Sequence, residues 1–294
     1  MIRTIFLLFL FPTVLLAQDV DVLLTGGTIY DGRSLKSRVG NIAIANGKII
    51  ELNTRKTPPA KLTIDCKGKV ICPGFIDLHN HSDNQVVSAP TRANINYLLQ
   101  GCTTIVTGNC GSGPVDVAEY YGLIDQAGSG TNVIHLIPQG GLRREVMGSD
   151  RRSATPEEMA TMLKLTKQAM LDGAWGMSTG LIYVPSSYAD TAEITAIAKI
   201  VSEHHGVYAS HIRGEGSGLL DSIQEALQIG RDADLPVHIS HFKSSGEQNW
   251  GLVRVAADVI EKARAAGQSI TADQYPYHAS STSLSATTIP TWAR

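Results

Sequence analysis

Five side chains in this sequence are of types that bind a transition metal and stand at the ends of apolar runs: His79, His81, Cys110, His211 and His241. His79 and His81 close the stretch Val70-Ile71-Cys72-Pro73-Gly74-Phe75-Ile76-Asp77-Leu78-His79-Asn80-His81. Residues two apart in an extended segment share a face, so the two imidazoles point the same way. Cys110 lies in Gly108-Asn109-Cys110-Gly111, just past the β-branched run Thr103–Thr107, between glycines that let the backbone approach closely. His211 and His241 end Val207-Tyr208-Ala209-Ser210-His211 and Val237-His238-Ile239-Ser240-His241. Any one of these has an ordinary structural reading, such as a histidine satisfied in a polar loop. Together, imidazole and thiolate donors favour Zn²⁺ over Mg²⁺ or Ca²⁺. A zinc so held acidifies water and polarises a carbonyl, which is the machinery of hydrolysis.

Such donors converge only if strands carry them to one rim. From Val70 onward the pattern repeats strand, loop and helix, the signature of a parallel α/β fold. Strands are predicted near Val70–Leu78, Thr103–Thr107, Asn132–Ile137, Gly173–Ser178, Val207–His211, Pro236–His241 and Ser269–Gln274. Helices are predicted around Thr91–Gln100, Val115–Gln126, Pro156–Leu171, Ala192–His205, Leu219–Arg231 and Leu252–Ala266. Thr155-Pro156-Glu157-Glu158 reads as a capping box with proline at the first helical position. The expected fold class is α/β, a (β/α)₈ barrel over residues 70–294 that offers seven strands before the sequence ends at Arg294. The expectation is therefore a barrel truncated after its seventh strand, with an open edge. Ahead of it, residues 19–69 alternate short apolar runs with turn signals. Asn46-Gly47 between two such runs predicts a hairpin, so a small β-domain is expected there.

Composition narrows the function. The chain has 294 residues, 43% hydrophobic, and a net charge of −2 without a basic block, which argues against a nucleic-acid partner and for a small-molecule one. Met1 to Gln18 reads as a secretory signal, with Arg3 positive, Ile5–Leu16 apolar and Ala17-Gln18 as the cleavage point. That apolar core is too short for a stable membrane anchor, so export to the periplasm or beyond is expected. The four cysteines show no disulfide framework. Cys66 and Cys72 are expected in or near core strands, and His238 is expected to pack on the face opposite His241.

Gly108–Gly111, Ser178-Thr179-Gly180-Leu181, Ser210-His211-Ile212-Arg213, Ser240-His241-Phe242-Lys243 and Tyr275-Pro276-Tyr277 occur in this order. With Pro73–Asp77 before His79 and His81, they make the chain resemble the N-terminal portion of the N-acyl-D-amino-acid deacylases (D-aminoacylases) of the metal-dependent amidohydrolase superfamily, from about Asp21 to Arg294. Many dinuclear members of that superfamily bridge their metals with a carboxylated lysine from the fourth strand. Here Gly173–Leu181 holds none, Lys164 and Lys167 belong to the preceding helix, and a cysteine takes that place in the deacylases.

The resemblance implies that Cys110, His211 and His241 hold one zinc tightly. His79 and His81 would form a second, weaker site that shares Cys110. It implies that Tyr183, Lys243, Tyr275 and Ser281 line the substrate pocket, where an ammonium and hydroxyls suit a carboxylate. The family's catalytic acid/base, an aspartate ending strand eight, falls beyond Arg294; Asp83 and Asp273 are the nearest carboxylates and neither is expected to replace it. The implied reaction is hydrolysis of an N-acyl-D-amino acid to a carboxylate and a D-amino acid, although the truncated chain is not expected to turn over by itself. Alternatives are a related amidohydrolase acting on cyclic amides, N-acyl dipeptides or N-acyl-D-glutamate, and a catalytically silent metal-binding fragment.

Overall fold

The computed structural model describes residues 19–55 and 57–289, so the expected signal segment lies outside the described residues. The chain divides into two units, residues 1–73 and 74–294.

The first unit is a five-stranded sheet of β1 (Val20–Ile29), β2 (Arg38–Ala45), β3 (Lys48–Thr54), β4 (Ala60–Asp65) and β5 (Val70–Ile71). The order is β3-β2-β1-β4, with β5 also paired to β1. Asn46 and Gly47 both take positive φ, 52° and 70°, the geometry a two-residue hairpin between β2 and β3 requires. Val20, Leu23 and Ala43 form its small core.

Here the structure corrects the expected first barrel strand. Val70–Leu78 is not one strand: β5 pairs in parallel with β1, the chain breaks at Pro73-Gly74, and β6 (Phe75–Asp77) starts afresh in the second unit. Proline lacks the N–H a central strand needs, and a Cβ on Gly74 would meet Thr103 side-chain atoms at 2.1 Å. The unit boundary accordingly falls after Pro73 rather than after Lys69.

The second unit alternates strands and helices. It continues with α1 (Ile95–Leu98), β7 (Cys102–Thr107), α2 (Val117–Ala127), β8 (Asn132–His135), β9 (Ile137–Pro138), α3 (Gln139–Met147) and α4 (Pro156–Leu171). Then come β10 (Gly176–Gly180), α5 (Thr191–Glu203), β11 (Val207–His211), α6 (Leu219–Ala233), β12 (Val237–Ile239), α7 (Leu252–Ala265), β13 (Ile270–Ala272) and α8 (Leu284–Thr288). All its strand pairs are parallel, in two sheets ordered β6-β7-β8 and β13-β12-β11-β10-β9. The third expected strand is thus interrupted at Leu136, whose N–H still donates to the Thr107 carbonyl at 3.0 Å.

Helices bury one face against the sheets. Along α6, Leu219, Ile223, Ala226, Leu227 and Ile229 are buried at helical spacing against Tyr208, Val237 and Ile239. The capping box of α4 forms: Glu158 N–H donates to Thr155 Oγ1 at 3.2 Å, and Thr155 N–H donates to the Glu158 carboxylate at 2.8 Å. Helix α3 lies outside the expected helices, and its Gly140-Gly141 pair is unfavourable to a helix by propensity. The glycines serve close packing instead, since a Cβ on Gly140 would lie 2.6 Å from the Gly111 carbonyl oxygen. The helix expected over Thr91–Gln100 shrinks to α1, with Asn94 at φ 48° before it. Cys66 is buried, whereas Cys72 is exposed, because it lies in the break after β5 rather than in a core strand.

Candidate metal centre

His79, His81, Cys110 and His241 stand just beyond a strand's C-terminal end, and His211 is the last residue of β11. Parallel strands align their carbonyl ends at one rim, so side chains far apart in sequence meet there. Among the described residues two groups of donors result, His79, His81 and Cys110, and Cys110, His211 and His241, with Cys110 common to both.

The Cys110 turn is held from several sides. Gly108, Cys110 and Gly111 all take positive φ, 77°, 54° and 68°. For cysteine this is a strained conformation, which surrounding contacts must enforce. Asn109 Nδ2 donates to the Val106 carbonyl at 2.8 Å, and Gly111 N–H donates to Ser178 Oγ at 2.9 Å while that hydroxyl donates to the Gly108 carbonyl. A Cβ at Gly108 would sit 2.0 Å from the Leu136 carbonyl oxygen, so only glycine fits. Asp83 is spent on the same turn: its Oδ1 accepts the Gly108 N–H at 2.7 Å.

From this turn the Cys110 sulfur faces His79 Nε2 at 3.4 Å, His211 Nδ1 at 3.8 Å and His241 Nε2 at 3.9 Å, and the last two nitrogens lie 2.8 Å apart. His81 stands beside His79 with ring centroids 5.4 Å apart. Burial pushes the Cys110 thiol up to about 12, with Asp273 and Glu215 adding to it, and pushes His211 down to about 3, helped by His241. Burial therefore disfavours charge on both groups, keeping the His211 imidazole neutral and the Cys110 thiol protonated unless a cation offsets the thiolate's charge. The donor set fits zinc by type, one cysteine sulfur and two imidazole nitrogens gathered within 3.9 Å of one another.

Two carboxylates surround the donors. Asp273 Oδ2 bonds His79 Nδ1 at 3.0 Å and His238 Nε2 at 2.8 Å, and its Oδ1 accepts the His241 N–H at 2.6 Å. Glu215 Oε1 lies 2.8 Å from His241 Nδ1 and 2.6 Å from Lys243 Nζ. Burial opposes both charges, yet hydrogen bonds from His238 and His79 hold Asp273 well below the usual carboxylate range, and His241 with His211 and Lys243 holds Glu215 at about 2.

These contacts correct two expectations. His238 does not pack on an unrelated face; its Nδ1 bonds Thr271 Oγ1 at 2.8 Å while Nε2 reaches Asp273. Strand β12 ends at Ile239 and His241 takes φ 39°, so strict alternation stops before His241. Asp273 is not inside its strand, because β13 ends at Ala272 and releases it at the rim. Glu215 was missed altogether; its flanking glycines, Gly214 and Gly216, read only as a loop.

Of the expected substrate residues, Tyr183 and Ser281 line a cavity of about 340 Å³ with His81, Cys110 and Arg144. Tyr275 and Ser281 line a larger one of about 770 Å³ with His79, His241 and Asp273. Tyr183 Oη bonds Thr282 Oγ1 at 2.8 Å, between the donors and the segment after Tyr277. Lys243 Nζ stands 5.5 Å over the Tyr275 ring and is held from behind by Glu215.

The second unit is thus a parallel α/β fold that gathers thiol and imidazole donors at its carbonyl rim, a set that could hold a metal ion. The chain belongs to the amidohydrolase family, whose model matches residues 62–282. It is 35% identical over 308 residues to the D-aminoacylase of Alcaligenes xylosoxydans xylosoxydans, covering 95% of this chain and 63% of that protein. It is 34% identical to the N-acyl-D-aspartate deacylase of the same organism, covering 94% and 61%. The structure of N-acyl-D-glutamate deacylase from Bordetella bronchiseptica, complexed with zinc and a phosphonate mimic of the tetrahedral intermediate, superposes with a TM-score of 0.83 at 32% identity, over 88% of this chain and 59% of that one. D-hydantoinase, at 16% identity and a TM-score of 0.62, shares the fold. The chain thus spans about three fifths of the length of the deacylases it matches. Among the described residues, no helix is long and apolar enough to cross a membrane.

Proposed function

We propose that the protein is a zinc-dependent deacylase that hydrolyses the amide bond of N-acyl-D-amino acids to a carboxylate and a D-amino acid. The observation that carries this reading is the shared Cys110, with His211 and His241 on one side and His79 and His81 on the other. In this reading Cys110, His211 and His241 hold the tight zinc, and His79, His81 and Cys110 form the weaker position. Zinc held there supplies Lewis-acid polarisation of the scissile carbonyl and acidification of water.

The remaining roles belong to side chains. Lys243, with Tyr275 beside it, faces the substrate carboxylate, while Tyr183 in the smaller cavity and Ser281, which lines both, orient the acyl group. Asp273 and Glu215 are committed to the histidines, so neither is free to move a proton to the leaving amine. That step is assigned to the aspartate that the family carries at the end of its eighth strand, within the two fifths of the relatives that this chain does not span. The reading is supported by the relatives' own activities, D-aminoacylase and the two N-acyl-D-amino-acid deacylases.

Zinc analysis and hydrolysis assays on this chain, and on a version spanning the relatives' full length, test the proposal. The expected result is bound zinc in both and cleavage of N-acetyl-D-methionine over its L-isomer by the longer protein. Zinc-free preparations of the longer protein that remain fully active would overturn it. Comparing N-acetyl-D-methionine with N-acetyl-D-glutamate separates the two nearest substrate classes.

A second reading, a metal-binding chain without turnover, is favoured by the commitment of both carboxylates beside the donors, Asp273 and Glu215, to histidines and Lys243. It predicts zinc without cleavage in either form. We also propose export, from the character of Met1–Gln18. N-terminal sequencing of the exported protein should then begin near Gln18 or Asp19, and an intact Met1 on the mature protein would refute it.

A further inference from the structure

We infer that two carboxylates divide control of the two metal positions: Glu215 positions His241 for the tight site, and Asp273 positions His79 for the weak one. The inference rests on the metal-site reading above and concerns positioning residues, not groups that touch substrate.

Each carboxylate takes the imidazole nitrogen that points away from the donor cluster. His241 directs Nε2 at Cys110 and His211, and its Nδ1 lies 2.8 Å from Glu215, with Lys243 Nζ 2.9 Å from the same nitrogen but 2.6 Å from the Glu215 carboxylate, to which it donates. His79 directs Nε2 at Cys110, and its Nδ1 lies 3.0 Å from Asp273. A neutral imidazole carries one proton, so a carboxylate on Nδ1 draws the proton there and leaves the Nε2 lone pair for the metal. It also fixes the ring plane and raises the basicity of the donating nitrogen. His211 has no such helper: its Nε2 is buried without a partner among the described residues.

The two devices differ in what they are anchored to, which is why separate effects are expected. Glu215 is tied to Lys243 Nζ, and its backbone carbonyl accepts the Ser245 N–H at 2.6 Å, so it joins the loops after β11 and β12. Asp273 follows β13 and collects three donors: His79, His238 and the His241 backbone N–H. An asparagine there keeps the volume but presents one acceptor oxygen, and its amide donors would face the N–H groups that the carboxylate now accepts. His238, bonded on its other nitrogen to Thr271, holds Asp273 toward His79 and so acts on the same site at one remove.

The test is stepwise zinc affinity by chelator competition on the chain and its variants, with ring ¹⁵N resonances of the metal-free histidines reporting their tautomers. Asp273→Asn should weaken the second zinc roughly 10- to 100-fold and the first much less, because the one remaining oxygen can keep the His241 N–H, with loss of the Nδ1–H signature of His79. Glu215→Gln should weaken the first zinc by a similar factor and shift the His241 tautomer instead. His238→Asn should reproduce the Asp273→Asn pattern in smaller degree, and it keeps the test open should Asp273→Asn not fold. Equal weakening of both sites by either carboxylate variant, or no change in either, overturns the inference and leaves the deacylase reading intact. A wild-type chain that takes up no zinc overturns both.

Discussion

Replacing Cys110 by alanine is expected to abolish stable zinc binding at both positions at once. The sulfur is the one donor common to the two clusters, 3.4 Å from His79 Nε2 and 3.8 and 3.9 Å from the His211 and His241 nitrogens. Losing a histidine would leave one cluster whole, but losing Cys110 leaves each with two neutral imidazoles and no anionic donor. Removing an outer-shell partner typically costs 10- to 100-fold in affinity, and removing a direct ligand of opposite charge costs more. Serine does not rescue, because a hydroxyl is much harder to deprotonate than a thiol in the same buried place. Zinc per chain after dialysis, with circular dichroism to show retained structure, decides the matter. A Cys110→Ala protein that keeps a full equivalent of zinc would remove sulfur from the centre. In a version that turns over, hydrolysis should fall by more than the roughly 10²- to 10³-fold lost when one transition-state hydrogen-bond donor is removed.

The second large effect concerns folding. Arg143 is wholly buried on α3, and its guanidinium pairs with Glu193 on α5 and donates to the Arg152 carbonyl at 2.7 Å. Gln139 Nε2 donates to the other Glu193 oxygen at 2.8 Å, and Ser186, at the wall of the smaller cavity, bonds Gln139 in turn. Glu193→Ala is expected to destabilise the second unit by about 3–5 kcal/mol, because it leaves a buried cation uncompensated. The double replacement Arg143→Met with Glu193→Met should recover much of that loss, since replacing both partners by packed apolar groups removes the desolvation penalty along with the attraction. Urea unfolding monitored by fluorescence measures both. A single variant within 1 kcal/mol of wild type would show that the pair contributes little.

These two predictions fall on opposite sides of what the amino-acid order determined. The donors of the candidate metal centre were legible because they follow apolar strand runs, and a parallel sheet's shared rim translates position in sequence into place in space. Thr155–Glu158 and Asn46-Gly47 were legible for a related reason: capping boxes and two-residue hairpins are closed by bonds within a few residues. Strand ends were less legible. Whether Val70–Leu78 is one strand, or Asp273 lies inside or beyond β13, depends on which neighbours pair, and pairing partners such as β1 for β5 are chosen by long-range contact.

Tertiary structure alone decided the carboxylates. Asp273 and His79 are 194 residues apart, Glu215 sits in a glycine loop that carries no periodic signal, and Arg143 gains its partner from another helix. A carboxylate's role is set by which proton donors surround it, and here those donors come from different strands and helices. The sequence by itself therefore determined which atoms are suited to meet a metal, while only the folded chain determined which residues orient them.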